Sequence, residues 1–371
     1  MHDTLNQPDE QTLLDSIMDN MPHMMCLVDK YGNIIRANSR LESIMGCKSG
    51  ACCPSEGLCS VHKLAGRAIE THVQQETSVS YKGRIFSVKF VPIGPPPGRA
   101  LGVWTDITGH TRLNERLALQ NDMLRNDLDL ARKLQLSMLS DRFPEARGYS
   151  FYSHYHPCQA VGGDFYDVFP VGKTKCMFYI ADVSGHGVAS AMLTVFLAQT
   201  IRSMMQSVRG DITPREILNE VWRRFDQMGV EEHLYITVWL AVLNFGSGEL
   251  IYSNAGHIVA PLLYNGKEIV PLELSGYPIC RWMPEADYSQ KTTVLPKKGR
   301  LLLYTDGLSD AWRMFHGSMD SDEIDSPDSL ARDCLLKQKP NKCLDTIWGK
   351  ISAGADGELT DDIAMLLVSR K

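Results

Sequence analysis

Five aspartates stand beside a glycine or at the end of an apolar run, where a backbone turn exposes the carboxylate. They are Asp164 in VGGDFYD, Asp182 in FYIADVSGHG, Asp306 in LLLYTDGL, and Asp361 with Asp362 in LTDDIAMLLV. One such carboxylate is usually a solvated loop residue, but none of these motifs contains a lysine or an arginine. If the fold gathers them, they repel one another strongly unless a cation lies between them. Hard divalent ions such as Mg²⁺ and Mn²⁺ favour such oxygen sites, so the set predicts a divalent-cation centre.

The sequence lacks the motifs of several other classes of hydrolase. It contains no H-E-x-x-H zinc motif and no G-x-x-x-x-G-K-[ST] phosphate loop. It also lacks the G-x-S-x-G turn of serine hydrolases. Cys158 and Cys176 lack the arginine-bearing loop that a cysteine-based phosphatase needs. These absences argue against a zinc hydrolase, a nucleoside triphosphatase and covalent catalysis by serine or cysteine.

A second group of residues that could bind a metal or undergo redox chemistry is rich in cysteine. It consists of Cys47, Cys52, Cys53 and Cys59, followed by His62. One interpretation is a zinc, iron–sulfur or thiol-redox sensor. The other is a set of buried or bystander thiols, since the spacing matches no strict C-x-x-C pair of motifs. Both interpretations stay open at this stage.

The elements that would position these residues fall into three predicted stretches. Residues 12–108 contain MCLVDKYGNIIRAN, which predicts a hairpin around Asp29–Asn33, and the alternating runs RIFSVKFVPI and RALGVWTDIT. Residues 109–140 lack glycine and proline after Gly109, which predicts one long helix.

An apolar stripe runs along that predicted helix. Its members are Leu113, Leu117, Leu124, Leu128, Ala131 and Met138, with Asn121 and Gln135 interrupting it. The stripe predicts a weak coiled-coil seam that would suit a switchable signalling helix. The alternative is an amphipathic helix packed on its own chain.

Residues 150–371 read as mixed strands and helices. Helices are predicted at 189–207 and 213–228, the second starting at Thr213-Pro214 with Glu216 in its first turn. Strands are predicted at 235–245, 250–254, 260–264, 300–305 and 363–369. The fold class is therefore α+β throughout.

The overall composition and charge argue against some classes of function. The 371 residues are 44% apolar and 22% charged, with a formal charge of −6 and no long basic run. Nucleic acid is not expected as a partner, because phosphate backbones are held by clustered lysine and arginine. The longest apolar run, Ile236 to Phe245, is too short for a membrane span and the N-terminus is polar. We expect a cytoplasmic protein.

Two resemblances refine this picture. The opening LVDKYGNIIRAN, the closing GVWTDIT and the helix that follows resemble a PAS sensor domain. The ordered series ARKLQLSML, CQAVGGDFYDVF, IADVSGHGVASAM, YSNAGH, YTDGLSDA and TDDIAMLL resembles the RsbU/SpoIIE branch of the metal-dependent PPM (2C-like) protein phosphatases. The resemblance implies a PAS-like α+β domain at 12–108, a helical linker at 109–140, and a four-layer αββα sandwich at 150–371.

The second resemblance also assigns roles, position by position. Asp182 matches the carboxylate that bridges two Mn²⁺ or Mg²⁺ ions, and the carbonyl of Val183 matches a neighbouring ligand. Asp306 and Asp361 match the carboxylates that complete one ion site, and Asp164 serves the other. Asp362 stands where relatives have Asp or Asn. Four of these, Asp164, Asp182, Asp306 and Asp361, are the expected catalytic residues.

The implied reaction is hydrolysis of phosphoserine or phosphothreonine on a protein, with water activated by two metal ions. The implied substrate is a STAS-domain anti-sigma factor antagonist in a partner-switching circuit, and the PAS domain is expected to regulate a homodimeric enzyme. His186 is either a general acid or a structural residue at a helix start. The alternative for the whole chain is a non-catalytic scaffold that binds a partner.

Overall fold

A computed structural model describes residues 10–50, 56–94, 98–139, 143–144, 148–185, 187–207, 212–283, 286–316, 326–353 and 359–371; for residues 10, 11, 14, 15 and 56–60 the description covers the backbone only. Contacts divide the chain into two compact units, Met1–Met123 and Leu124–Lys371.

The N-terminal unit is built around one antiparallel sheet. Its elements are α1 (Glu10–Asn20), β1 (Met24–Val28), β2 (Ile34–Ala37), α2 (Ser39–Met45), α3 (Glu56–Thr71), β3 (Gln75–Tyr81), β4 (Arg84–Ile93) and β5 (Arg99–Asp106). The strand order is β2-β1-β5-β4-β3. The predicted hairpin is confirmed, since β1 pairs with β2 and the Asp29 carboxylate accepts hydrogen bonds from the backbone N–H groups of Tyr31 and Asn33. Leu41, Phe86 and Trp104 lie fully buried in its core.

The predicted long helix is also confirmed. Helix α4 spans Thr108–Met138, and the division between the two units falls within it. Much of its predicted seam faces solvent: the side chains of Leu113, Leu117 and Leu124 are 56%, 49% and 59% exposed.

The C-terminal unit holds the remaining elements. They are β6 (Tyr149–His156), β7 (Phe165–Val171), β8 (Lys175–Val183), α5 (Val188–Ser207), α6 (Pro214–Met228), β9 (Ile236–Asn244), β10 (Glu249–Ala255), β11 (Leu262–Tyr264), β12 (Ile269–Pro271), β13 (Gln290–Val294), β14 (Arg300–Tyr304), α7 (Gly307–His316), α8 (Pro327–Lys337), α9 (Pro340–Ser352) and β15 (Ile363–Arg370). They form two five-stranded sheets, in the orders β13-β10-β9-β8-β7 and β12-β11-β14-β15-β6.

Both sheets contribute to one buried apolar cluster. It includes Tyr179 and Leu240 from the first sheet and Leu303 and Leu366 from the second. Helices α5 and α6 contact the first sheet, whereas α7, α8 and α9 contact the second. Strands β8 and β9 are apolar along nearly their whole length because both of their faces are covered.

Local signals explain where several elements begin. Helix α6 starts at a capping box, in which Thr213 accepts a hydrogen bond from the Glu216 N–H and the Glu216 side chain accepts one from the Thr213 N–H. Strand β11 begins two residues later than predicted. Pro261 precedes it and has no N–H to donate to a ladder.

Helix α5 passes a simple test for a membrane span by length and composition over Val188–Gln206. Half of that window is buried inside the protein. Leu193, Leu197 and Ile201 of this helix belong to the apolar cluster shared by the two sheets. Buried core helices of this kind often pass the same test, so the helix is weak evidence for a membrane.

Candidate metal centre

The ends of four strands present the five aspartates. In the first sheet, Asp164 immediately precedes β7 and Asp182 is the second-last residue of β8. In the second sheet, Asp306 follows β14, and Asp361 and Asp362 directly precede β15. Residues almost 200 positions apart in the sequence therefore meet through the packing of two sheets.

Electrostatics shows that these carboxylates are neighbours. Burial raises the pKa of Asp182 to about 7, and the negative charges of Asp306, Asp361 and Asp362 add to that effect. Burial and the charge of Asp182 raise the pKa of Asp164 well above its usual range. Asp164 and Asp182 are thus harder to ionise, because they are buried and because other carboxylates lie close to them.

Asp362 anchors the loop that carries Asp164. One of its oxygens accepts a hydrogen bond from the Cys158 N–H at 2.8 Å, and the other accepts one from the Gly163 N–H at 2.5 Å. The Cys158 thiol and the Asp361 and Asp362 carboxylates present ligand atoms within 4.8 Å of one another. Asp362 therefore has a positioning task whether or not it is also a ligand.

The loop 162–164 lies directly against the end of β8. The Val183 N–H donates to the Gly163 carbonyl at 3.2 Å. A Cβ on Gly163 would lie 2.6 Å from the Val183 carbonyl oxygen, and a Cβ on Gly162 would lie 2.5 Å from the Asp362 carboxylate. Only glycine permits this approach, so the two glycines of VGGD are explained by close packing.

Thr305 is a contact that the sequence reasoning missed. Its hydroxyl donates to the Asp164 carboxylate at 2.5 Å and accepts from the Ala364 N–H at 3.0 Å. It thereby joins Asp164 of the first sheet to β15 of the second. In the sequence, only its position next to Asp306 in the motif YTDGL indicated that Thr305 would lie close to the acidic centre.

Gln135 is a second missed contact, although it was noted as an interruption of the apolar stripe. It is 4% exposed, and its amide makes two hydrogen bonds with the backbone of Gly162, donating at 2.7 Å and accepting at 3.1 Å. It also donates to the Thr194 hydroxyl at 3.2 Å. The C-terminal part of α4 is therefore bound to the loop that carries Asp164.

The second aspartate of VGGDFYD does not join the acidic group. Asp167 is fully buried and forms a two-point ion pair with Arg202 of α5, at 2.8 and 2.9 Å. Asn254 and His257 form a buried turn, in which the His257 N–H donates to the Asn254 side chain and the His257 ring contacts the Tyr304 carbonyl. His186 lies outside the described residues.

The cysteine-rich group is only partly described. Cys47 and His62 are buried in the N-terminal unit, and burial lowers the pKa of His62 to about 4. Cys52 and Cys53 lie outside the described residues, as does the side chain of Cys59. A sensor function for this group stays a prediction.

The donor set of the acidic centre fits hard divalent ions. Its five aspartate side chains offer oxygen, which Mg²⁺ and Mn²⁺ prefer, and the Cys158 thiol lies beside two of them, Asp361 and Asp362. The charged groups that most strongly act on Asp164 and Asp182 are other carboxylates. A bound cation would offset that repulsion and favour the ionised form of Asp164 and Asp182.

Comparison with protein families matches both parts of the chain. The family model described as Stage II sporulation protein E (SpoIIE) matches residues 172–371. A PAS domain model matches residues 12–74.

Three curated proteins are similar to the chain. IcfG of Synechocystis is 25% identical over 273 residues, which cover 66% of this chain and 42% of IcfG. The phosphoserine phosphatase RsbP of Bacillus subtilis is 25% identical over 189 residues, covering 50% of this chain and 46% of RsbP. The phosphoserine phosphatase RsbU of the same organism is 22% identical over 250 residues, covering 67% of this chain and 71% of RsbU. The chain thus spans less than half the length of IcfG and RsbP.

Among solved structures, the SiaA-PP2C domain of Pseudomonas aeruginosa is similar, with a TM-score of 0.56 and 21% identity. The similarity covers 68% of this chain and 99% of that domain. At this identity the likeness concerns the fold, which is therefore PP2C-like in the C-terminal unit.

Proposed function

Because the chain belongs to the SpoIIE family of PPM-type phosphatases and carries an N-terminal PAS domain, we propose that it is a metal-dependent protein serine/threonine phosphatase. Two curated relatives bear the name phosphoserine phosphatase, which supports the reaction class. The observation that carries the proposal is the convergence of five aspartates, of which Asp164, Asp182 and Asp361 have a pKa raised by burial and by the charges of neighbouring carboxylates.

In this proposal Asp182 would be the ligand shared by two Mn²⁺ or Mg²⁺ ions. Asp306, Asp361 and the Val183 carbonyl would help to hold one ion and Asp164 the other, with Asp362 beside it. Ions of this class activate water near neutral pH and stabilise the charge of the phosphoryl oxygens.

The chain's own residues position those ligands. Thr305 orients the Asp164 carboxylate, and Asp362 holds the Asp164 loop through the N–H groups of Cys158 and Gly163. A rigid loop matters because preorganised ligands need no rearrangement during the reaction.

The finer features of the proposal extend to the whole molecule. We place the PAS domain at 12–108, a helical linker at 109–140 and a four-layer αββα phosphatase domain at 150–371. We infer that the PAS domain regulates a cytoplasmic homodimer and that the substrate is a phosphorylated STAS-domain anti-sigma factor antagonist. We propose neither nucleic acid nor a membrane as a partner; the net charge of −6 and the lack of a long basic run argue against nucleic acid.

The test is hydrolysis of a phosphorylated STAS-domain protein by the purified chain with Mn²⁺ or Mg²⁺. We expect Asp182→Asn to lower turnover at least about 100-fold, because it removes a charged ligand while keeping the shape of the side chain. Asp333→Asn is a matched control, since that acid pairs with Lys337 on the surface of α8.

A wild-type chain that is folded and binds Mn²⁺ but leaves the phosphoprotein intact would overturn the proposed substrate class. A chain that binds no Mn²⁺ at all would instead support a non-catalytic scaffold.

A further inference from the structure

Two histidines face each other on strand β6, away from the acidic centre. His154 and His156 are two residues apart and project from the same face of the strand, the face that α9 covers. The Nδ1 atom of His154 lies 2.8 Å from the Nε2 atom of His156. Their ring nitrogens therefore converge on one point at an edge strand of the sheet.

Helix α9 holds both rings in place. The Oδ1 atom of Asp345 lies 3.1 Å from Nε2 of His154, so this nitrogen carries the proton and donates to the carboxylate. The His156 ring stacks on Trp348 with centroids 3.7 Å apart and an angle of 12° between the planes. Each ring is thus oriented by a residue other than its histidine partner.

This arrangement is the one that metal-binding imidazoles use. Such a histidine typically donates its second N–H to a carboxylate, which fixes the tautomer and leaves the other nitrogen able to bind a metal. Asp345 accepts the hydrogen bond from Nε2 of His154 and so leaves Nδ1 of the same ring able to bind a metal. Burial and the neighbouring His154 lower the pKa of His156 to about 4, so its ring is neutral at physiological pH.

We propose that His154 Nδ1 and His156 Nε2 bind a divalent transition-metal ion of the class that prefers imidazole, such as Zn²⁺ or Ni²⁺. Asp345 orients His154 in this site, and water fills the remaining coordination positions. Two nitrogens bound to one ion at about 2.0–2.1 Å are about 2.9–3.3 Å apart, depending on the angle at the metal. In the metal-free pair this 2.8 Å contact is a hydrogen bond in which the Nε2–H of His156 donates to Nδ1 of His154, because Nε2 of His154 carries the proton of that ring. Metal binding would move the His156 proton to its own Nδ1 atom and open the distance by a few tenths of an ångström.

The two metal centres differ in chemistry and position. The acidic centre offers oxygen and suits Mg²⁺ or Mn²⁺, whereas the histidine pair suits ions that favour nitrogen. Tyr155 lies between the histidines and points to the opposite face, where it packs against the apolar cluster shared by the two sheets. His156 pairs with Ile363, the first residue of β15.

The test is calorimetric titration of the full chain with Ni²⁺ in saturating Mg²⁺, which keeps a hard ion at the acidic centre. We expect His154→Ala and His156→Ala each to lose one bound equivalent. Asp345→Asn should weaken that equivalent about 10–100-fold, as expected for a carboxylate that orients a ligand. His233→Ala is the matched control, because this exposed histidine also lies beside a carboxylate, that of Glu231.

A second measurement separates loss of a ligand from loss of fold. Zn²⁺ added to wild-type protein with ¹⁵N-labelled histidine should shift the signals of His154 Nδ1 and His156 Nε2. Any equivalent bound by the cysteine-rich group would persist in His154→Ala. Unchanged Ni²⁺ binding in both alanine variants, or unshifted signals from both rings, would overturn the proposal.

Discussion

At the scale of single residues, the acidic centre gathers carboxylates: among the described residues, the charged groups that act most strongly on Asp164 and Asp182 are other aspartates. Asp164 is 2% exposed and Asp362 is 4% exposed, and both lie near Asp182. Carboxylates buried together hold protons more tightly than usual, because ionisation costs both solvation and repulsion. The metal-free protein should therefore pay for this arrangement in stability.

That cost depends on pH in a predictable direction. The pKa of Asp182 rises from 3.8 to about 7 on folding, so the folded protein binds this proton more tightly than the unfolded chain. Stability from this group is complete below pH 3.8 and is lost as the pH rises through about 7. We expect Asp182→Asn to stabilise the metal-free protein relative to wild type, and more so at pH 8 than at pH 5.

The measurement is denaturant unfolding in the presence of a chelator at both pH values. The expected difference is on the order of 1–4 kcal/mol, since each pKa unit corresponds to about 1.4 kcal/mol. The buried His62 and His257, whose pKa values fall to about 4, oppose the trend by destabilising the fold at low pH. Comparing the variant with wild type cancels their contribution; an equal effect of the substitution at both pH values would contradict the prediction.

At the scale of elements, α4 ends in contact with the candidate active site. Gln135 satisfies both backbone groups of Gly162, next to the glycine whose N–H binds Asp362. A shift of this part of the helix would move the loop that carries Asp164. This contact supports the proposal that the PAS domain regulates the phosphatase through the helix.

We expect Gln135→Leu to weaken Mn²⁺ binding and lower turnover together, because the loop loses its anchor. Leaving the buried N–H and C=O of Gly162 without partners should also destabilise the domain by about 1–3 kcal/mol. Gln120→Leu is the matched control on an exposed part of the same helix.

Manganese titration and thermal unfolding check this prediction. An unaltered Mn²⁺ affinity in a folded Gln135→Leu variant would show that the hydrogen bonds only stabilise the fold.

At the scale of the whole molecule, the exposed stripe of α4 bears on assembly. The side chains of Leu117 and Leu124 are 49% and 59% exposed on a helix of 31 residues. A second copy of the helix would cover them with a seam of the coiled-coil type. This is the physical basis for the proposed homodimer.

We expect the double substitution Leu117→Asn and Leu124→Asn to convert the dimer to a monomer, because it places amides where the seam needs apolar side chains. Sedimentation velocity of the full chain measures this change. The control pair Leu119→Asn and Leu130→Asn alters leucines that are about as exposed but lie off the seam. A wild-type chain that sediments as a monomer would refute the homodimer.

The sequence by itself determined the local features, namely turns, helix starts and acidic motifs, because these depend on residues that are neighbours along the chain. Turn chemistry at Asp29 predicted the first hairpin, and Thr213-Pro214 with Glu216 predicted the start of α6. The acidic motifs predicted a divalent-cation centre, because residue type and strand ends are visible along the chain.

Only the tertiary structure decided which side chains meet. Thr305 and Asp164 are 141 positions apart, yet they share a hydrogen bond. His154 approaches Asp345 across 191 positions. Neither contact has a local signature, because each depends on how elements distant in sequence pack across a common core. Sequence patterns show which face of an element is buried, whereas three-dimensional packing determines what that face meets.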